Sequence, residues 1–466
     1  MDVHWHRSDL RATDNTGLAA AAEDEVLPVF VFDDAVLRHG SPPRVAFMLD
    51  ALAELREWYR ERGGDLHVAR GDPTEVLPAL ATEHGAGTVH YDGDYSGLAR
   101  ERDTAVSDAL EAEGVAAERH EDALHQEPGS ILTNQGEPYS VYTYFWKKWR
   151  DRPKDDPYDP PEEIADVPGA ALPTLADLGF EEPDADVEAG GMAAARDRLD
   201  AFLDGPIYEY ADARDDPAAD NTSRLSAHLR WGTIGPRDVY AGTERAMAEA
   251  PDDDAGEAVE EFRGELAWRE FYHHVLHFHP RVVTENYNEY EEGIAWRDDP
   301  EEIAAWKRGE TGYPIVDAGM RQLLDEAYMH NRVRMIVASF LTKDLMADWR
   351  HGYAHFREHL VDHNTANDNG GWQWAASTGT DAQPYFRIFN PMSQGERHDP
   401  DAEYVAEYVP ELADVPADKV HSWHELDHAE RNRLAPEYPH PIVDHGERRD
   451  EALAMFKRAR GEDPDE

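Results

Sequence analysis

Val26-Leu27-Pro28-Val29-Phe30-Val31-Phe32 is a seven-residue run without a charge, too short for an ordinary helix and rich in β-branched and aromatic side chains. A segment apolar at both odd and even positions predicts a strand buried on both faces, as in a parallel sheet covered by helices. Outward from it, Leu66-His67-Val68-Ala69 and Thr88-Val89-His90-Tyr91 repeat the pattern, and the opening Met1-Asp2-Val3-His4-Trp5-His6-Arg7-Ser8-Asp9 reads as a further buried strand with no apolar leader core. Between the runs, Val45, Met48, Leu49, Leu52, Leu55 and Tyr59 fall at helical spacing and stop at Gly63-Gly64. Strands alternating with helices predict an α/β domain over residues 1–125, a Rossmann-like parallel sheet. No GxGxxG turn opens it, so a standard dinucleotide site is not expected there.

Residues 126–195 are rich in Pro, Gly and acid, with Pro153, Pro157, Pro160-Pro161, Pro168 and Pro173 interrupting any long periodic element, and read as an interdomain linker. Beyond them strand signals fade. Helical patterns over 225–230, 257–277 and 331–349 predict an all-α domain across 196–466. On one continuous helix, Trp349 would lie about five turns and 27 Å from Asn331, sharing its azimuth but not its site.

The 466 residues include 98 acidic and 45 basic side chains, a formal net charge of −53. That balance argues against a polyanion as partner. With 41% hydrophobic residues and 12 tryptophans the chain can still build a large core, so its acid reads as a solvated surface suited to high salt, with an acidic face for a basic partner as the other reading. The absence of cysteine removes disulfides and thiolate metal sites. The 24 histidines show no H-E-x-x-H pattern, so no metal is assigned. No apolar run approaches the roughly 18 residues of a membrane span, and a cytoplasmic protein is expected.

Four stretches carry chemistry. In Gly264-Glu265-Leu266-Ala267-Trp268-Arg269-Glu270-Phe271-Tyr272 a helix would gather Glu265, Trp268 and Arg269 on one face, able to hydrogen-bond a base, stack on it and hold its phosphate; on this segment alone a surface ion pair beside a core tryptophan is the plainer reading. His330-Asn331-Arg332-Val333-Arg334-Met335 sets an amide and a thioether on one side of a second helix. Thr222-Ser223-Arg224-Leu225-Ser226 offers hydroxyls and a guanidinium at a helix start, a pyrophosphate grip or plain N-capping. The densest string is Asn367-Asp368-Asn369-Gly370-Gly371-Trp372-Gln373-Trp374, whose paired glycines would let backbone approach a planar group.

Together with Tyr210, Arg214, Thr311-Gly312-Tyr313-Pro314-Ile315-Val316-Asp317-Ala318 and the end segment Tyr438-Pro439-His440-Pro441, these stretches resemble, in order and spacing, the photolyase and cryptochrome superfamily. The likeness runs nearly the whole chain and is greatest to its class I cyclobutane-dimer DNA photolyases from halophiles. It implies an antenna-chromophore domain at 1–125 and a helical FAD- and DNA-binding domain at 196–466. It implies FAD, active when reduced, held by Tyr210, Thr222, Ser223, Arg224, Leu225, Ser226, Arg334, Asp362, His363, Asn364 and Asp368. Arg214, Glu265, Trp268, Arg269, Asn331, Arg332, Met335 and Trp374 match residues that hold damaged DNA. Glu265 matches a catalytic group, and Trp296, Trp349 and Trp372 a tryptophan chain that reduces the flavin.

The activity so implied is light-driven repair of pyrimidine dimers by electron transfer, a carbon-carbon lyase reaction; a cryptochrome-type blue-light photoreceptor is the alternative. Asp368 stands where most photolyases carry Asn and plant cryptochromes Asp, and an acid there could give the flavin N5 a proton and change which redox state persists. Asn364 replaces an acid common in its stretch. Asn331, Met335, Trp268 and Trp374 resemble the cyclobutane-dimer enzymes, whereas enzymes for (6-4) photoproducts place histidines in the pocket, and the short acidic tail after Arg460 favours repair over signalling. Leu98 and Ala99 stand where folate-binding relatives carry polar ligands, so the antenna is expected to be 8-hydroxy-5-deazaflavin, with methenyltetrahydrofolate as the alternative. DNA binding despite the net charge predicts an acid-free basic face from Arg214, Arg269, Arg332 and Arg387, with Lys147 and Lys148. A monomer without an obligate protein partner or membrane contact is expected.

Overall fold

The computed structural model describes residues 1–463 apart from 24 and 220. The chain forms two compact units, Met1–Pro183 with Val187–Ala211 and Ser223–Pro280, and Asp184–Asp186 with Asp212–Thr222 and Arg281–Glu466.

In the first unit five strands, β1 (Asp2–His6), β2 (Val26–Phe32), β3 (His67–Arg70), β4 (Thr88–Asp92) and β5 (Ala116–His120), form one sheet in the order β3-β2-β1-β4-β5. Every pairing is parallel, with Trp5 opposite Val29 on one side and Tyr91 on the other. All seven β2 residues are buried, as an uncharged run requires. The predicted helix is Pro42–Arg60, with Val45, Met48, Leu52, Leu55 and Tyr59 buried. The strand order reverses beside β1, so the carboxyl ends of β1 and β4 flank the switch point where doubly wound sheets place ligands.

The Pro-rich stretch is structured in part. A helix, Tyr142–Arg150, packs Phe145 and Trp149 inward, and residue 164 bridges Val26 in parallel. Residues 223–280 are fastened to the sheet by a buried charge cluster. Arg237 and Arg11 both donate to the Asp122 carboxylate, at 2.5 Å each, and Arg237 also pairs with Asp14. Two guanidiniums and two carboxylates without solvent are tolerated because each charge is matched.

The second unit is helical around a core that includes Trp306, Tyr313, Trp349, Trp372 and Trp423. The pattern over 331–349 is not one helix. Asn331–Ser339 runs into a π-helical turn, Phe340–Asp344, and a new helix, Trp349–His359, starts at the cap Asp348. Met346 lies between them with φ 51°, a left-handed conformation that ends a helix. The turn is held by buried polar groups, Lys343 Nζ donating to Ser377 Oγ at 2.8 Å and Asp344 Oδ1 lying 2.5 Å from His445 Nδ1. Asn331 and Trp349 therefore share no rod or azimuth. Among the described residues no helix is long and apolar enough to cross a membrane.

Candidate active site

Glu265 and Trp268 are half-buried on the 26-residue helix Asp253–Phe278 of the first unit, capped by Asp252, which accepts from Ala255 N. Trp268 is backed by Tyr142, whose ring lies parallel to it at 9° with centroids 3.7 Å apart. The Tyr142 hydroxyl donates to the Gly264 carbonyl at 2.6 Å and so pins that ring to the helix carrying Trp268. Beside it the exposed Tyr144, Lys147 and Lys148 put aromatic and basic groups together on a chain that is otherwise acidic. Tyr210 is buried edge-on to Phe202 and Phe262. Ser226 opens the helix Ser226–Trp231, preceded by Arg224 at φ 46°, a strained conformation of the kind that gathers at ligand sites.

Arg269 departs from expectation. Its guanidinium donates to the carbonyls of Ala123 at 2.5 Å and Leu229 at 3.2 Å, an internal clamp within the unit in place of a phosphate grip. Its neighbour Glu270, unassigned by spacing, accepts from His125 N (2.6 Å), Gln126 N (3.1 Å) and Trp149 Nε1 (2.7 Å). Burial pushes that carboxyl up to about 7 although all three donors favour its ionised form.

In the second unit Asn331 is exposed at the start of its helix and Met335 half-buried one turn on. Arg332 is bound bidentately by Asp215, with Nη2 2.6 Å from both carboxylate oxygens. The acid-free face expected around Arg332 is thus broken at that residue. Arg387 is exposed beside Phe386, and Trp374 is half-buried against the core. Arg214 and Thr222 also belong to this unit, Arg214 near enough to Asp215 to favour its ionised form.

Arg334 donates through Nε to the Met329 carbonyl at 2.7 Å and through Nη2 to Asp362 Oδ2 at 2.8 Å. His363 Nδ1 lies 2.5 Å from Asp368 Oδ2. Asn364 caps the helix Thr365–Ala375 by accepting from Ala366 N and Asn367 N. Asn369 and Gln373 hold that helix, each donating to the Val282 carbonyl. The paired glycines lie inside the helix, where each costs about 1 kcal/mol against alanine, and a side chain at Gly371 would meet open space. Trp349 and Trp372 are buried in the core of this unit and Trp296 packs against it. Trp372 is edge-on to Phe356 at 4.9 Å and to Trp306, absent from the expected set, at 6.0 Å.

Residues 2–165 match the family described as DNA photolyase and 262–458 that described as the FAD binding domain of DNA photolyase. The chain belongs to the DNA photolyase and cryptochrome family. A deoxyribodipyrimidine photo-lyase of Halobacterium salinarum is 61% identical over 99% of this chain and all of its own length. Another, from Synechococcus, is 39% identical over 98% of this chain and 96% of its own. Among solved structures, a bacterial class III photolyase from Agrobacterium tumefaciens superposes with TM-score 0.91 at 37% identity, covering 98% of this chain and 97% of its own. An archaeal photolyase from Sulfolobus tokodaii, described with two FAD molecules and a novel light-harvesting cofactor, gives 0.84 at 32%, covering 98% and 100%.

The photolyase residues of the second unit fit FAD on their own chemistry. Asp362 Oδ1 and Asn367 Oδ1 are buried acceptors without a hydrogen-bond partner, each an expense of about 1–3 kcal/mol if left so. A flavin ring N–H and sugar hydroxyls are donors of the kind they lack. The Arg334 guanidinium, held by Asp362, adds a fixed positive group for a flavin carbonyl or phosphate. The FAD-binding domain of the family is present over 262–458.

Proposed function

We propose that this chain is a deoxyribodipyrimidine photo-lyase that repairs cyclobutane pyrimidine dimers in DNA in light. What carries this reading is full-length likeness to relatives of that name, with Glu265, Trp268, Asn331, Arg332, Met335 and Trp374 supplying the chemistry a flipped dimer needs. FAD, when bound and fully reduced, would supply the excited-state electron chemistry that opens the cyclobutane ring. The dimer leaves the base stack to be reached, and Trp268 and Trp374 give the splayed bases aromatic faces. Tyr142 holds the Trp268 face rigid, so little ordering remains to be done on binding. Glu265 hydrogen-bonds the pyrimidine edge, where negative charge arrives with the transferred electron before the ring opens. Asn331 and Met335 line the lesion, while Arg214, Arg332 and the exposed Lys147 and Lys148 meet phosphates. Tyr210, Thr222 to Ser226, Arg334 and the 362–368 stretch would hold the cofactor, and Trp296, Trp349 and Trp372 would provide a path for its reduction. The functional division is antenna over 1–125, linker over 126–195 and catalytic region over 196–466, in a cytoplasmic monomer.

The antenna reading is 8-hydroxy-5-deazaflavin, with methenyltetrahydrofolate as the alternative. Supporting it, Leu98 is exposed and Ala99 buried, and neither offers a polar ligand. Asp94, Tyr95, Arg100, Asp103 and Arg119 of the same region line a cavity of about 460 Å³. Mass spectrometry of chromophores released from protein expressed in a deazaflavin-producing host decides between them.

The test of repair is an oligonucleotide bearing one thymine dimer, incubated with photoreduced protein in multimolar KCl and illuminated with near-ultraviolet or blue light against a dark control. Thymine absorbance recovers only in light, and the Glu265→Ala, Trp268→Ala double variant loses it. No recovery from protein holding reduced FAD transfers the assignment to a photoreceptor, for which Asp368 paired with His363 is the supporting observation.

A further inference from the structure

We propose that His355, Glu358 and His359 form a site for one divalent transition-metal cation of the Zn²⁺ class. The three lie on the last turn of the helix Trp349–His359, and one ligand atom of each falls within 4.8 Å of the others. Their order is H-x-x-E-H, the reverse of the H-E-x-x-H spacing sought in the sequence, and it sets the two imidazoles one turn apart, with ring centroids 4.5 Å apart.

His355 is the decisive residue. It is 5% exposed, and its Nε2 is buried with no hydrogen-bond partner. The Lys307 backbone lies near the ring, and the nitrogen left bare is Nε2. A buried imidazole nitrogen that finds no partner within the protein is the kind of atom a metal ion satisfies. Trp306, 5.7 Å from the ring, walls the site on its inner side, while His359 and Glu358 leave it open to solvent.

The other two histidine clusters are arranged differently: His4 Nε2 and His6 Nδ1 both engage Asp9 Oδ2 inside the core, where His4 Nδ1 is also bare but all three residues are closed off from solvent, and His90 Nδ1 is spent on His120 Nε2 at 3.0 Å. Two nitrogens and one carboxylate oxygen suit a borderline ion such as Zn²⁺ better than Mg²⁺ or Ca²⁺, with water in the fourth position. A cation at a helix C-terminus also meets the negative end of the dipole. The half-buried Lys307 opposes binding and must turn outward. The consequence is local: Asp362 follows three residues after His359, so the ion would fasten the helix end that leads into the 362–368 stretch.

The experiment uses the full FAD-loaded chain, stripped with chelator, in multimolar KCl. Co²⁺ is titrated as the probe, its visible ligand-field bands reporting four-coordinate nitrogen and oxygen ligation, and Zn²⁺ is then added in competition. One equivalent binds, Zn²⁺ displaces it, and the melting temperature rises. His359→Ala lowers the affinity by at least about 10-fold, the smaller solvent-facing change Glu358→Gln lowers it less, and His120→Ala leaves it unchanged. Binding unaltered in both His359→Ala and Glu358→Gln, or no ligand-field bands at millimolar Co²⁺, overturns the site.

Discussion

Arg332 and Asp215 form a bidentate ion pair, with the guanidinium Nη2 2.6 Å from each carboxylate oxygen. The arginine read as a phosphate ligand is therefore held by an acid of its own unit. DNA binding through Arg332 must displace that acid, and Asp215→Asn removes the competitor without removing the side chain's volume. The variant binds dimer-bearing duplex more tightly, and its plot of log affinity against log KCl steepens by about 0.9, the contribution of one added phosphate contact. Fluorescence anisotropy across a KCl series reads both quantities, and an unchanged slope would show that Arg332 does not reach phosphate.

That acid also marks the limit of what spacing shows. β2 was legible because a run apolar on both faces fits only a covered sheet, whereas the edge strand β5, Ala-Ala-Glu-Arg-His, carries too little apolar surface to stand out. The helix Tyr142–Arg150 was hidden by prolines around it, and the break at 340–348 depends on Ser377 and His445, remote partners of Lys343 and Asp344. Family likeness supplied the site residues by position. It could not tell that Arg269 turns to carbonyls, that Asp215 claims Arg332, or that Tyr142 backs Trp268, because each depends on a partner distant in sequence.

The Tyr142 stack predicts a binding defect without a cofactor defect. Tyr142→Ala leaves Trp268 free to reorient and weakens affinity for the dimer about 3- to 10-fold, the scale of a lost aromatic pair. Tyr142→Phe keeps the stack and loses the hydroxyl's bond to Gly264, so most affinity returns. The flavin absorption spectrum stays as in the parent for both, and affinity is read by competition with undamaged DNA.

At Gly352 an added Cβ would come within 2.0 Å of the Trp372 ring, far inside contact distance, so the indole must move. Gly352→Ala costs about 1–3 kcal/mol as an overpacked core, or more if Trp372 cannot shift. It also displaces a member of the expected electron chain. Denaturation midpoint falls, and photoreduction of oxidised FAD slows more than repair by protein reduced chemically beforehand.

Asp368 and His363, 2.5 Å apart, form an acid-imidazole pair in the stretch expected to face the flavin. Asp368→Asn keeps the shape but cannot deliver a proton. Under illumination with an external reductant, the variant accumulates less of the neutral, protonated one-electron-reduced flavin than the parent, as seen in visible absorbance. Equal accumulation would mean that the proton comes from elsewhere.

Glu270 makes the fold itself pH-dependent. Its carboxyl is pushed from 4.5 up to about 7 by burial, against the hydrogen bonds from His125 and Trp149 that favour ionisation. Below pH 4.5 folded and unfolded chains both hold the proton, so the shift contributes its full stabilisation. Between 4.5 and 7 the unfolded chain releases the proton while the folded one keeps it, and stability falls as pH rises, the loss being complete above 7. The full swing is on the order of 3 kcal/mol. Glu270→Gln cannot titrate, so the stability of the parent relative to this variant declines from pH 4.5 to 7 and is flat above, as measured by denaturant midpoints at constant KCl. A relative stability that instead rises with pH over this window would show that the donors from His125, Gln126 and Trp149 outweigh burial and that Glu270 is folded in as a carboxylate.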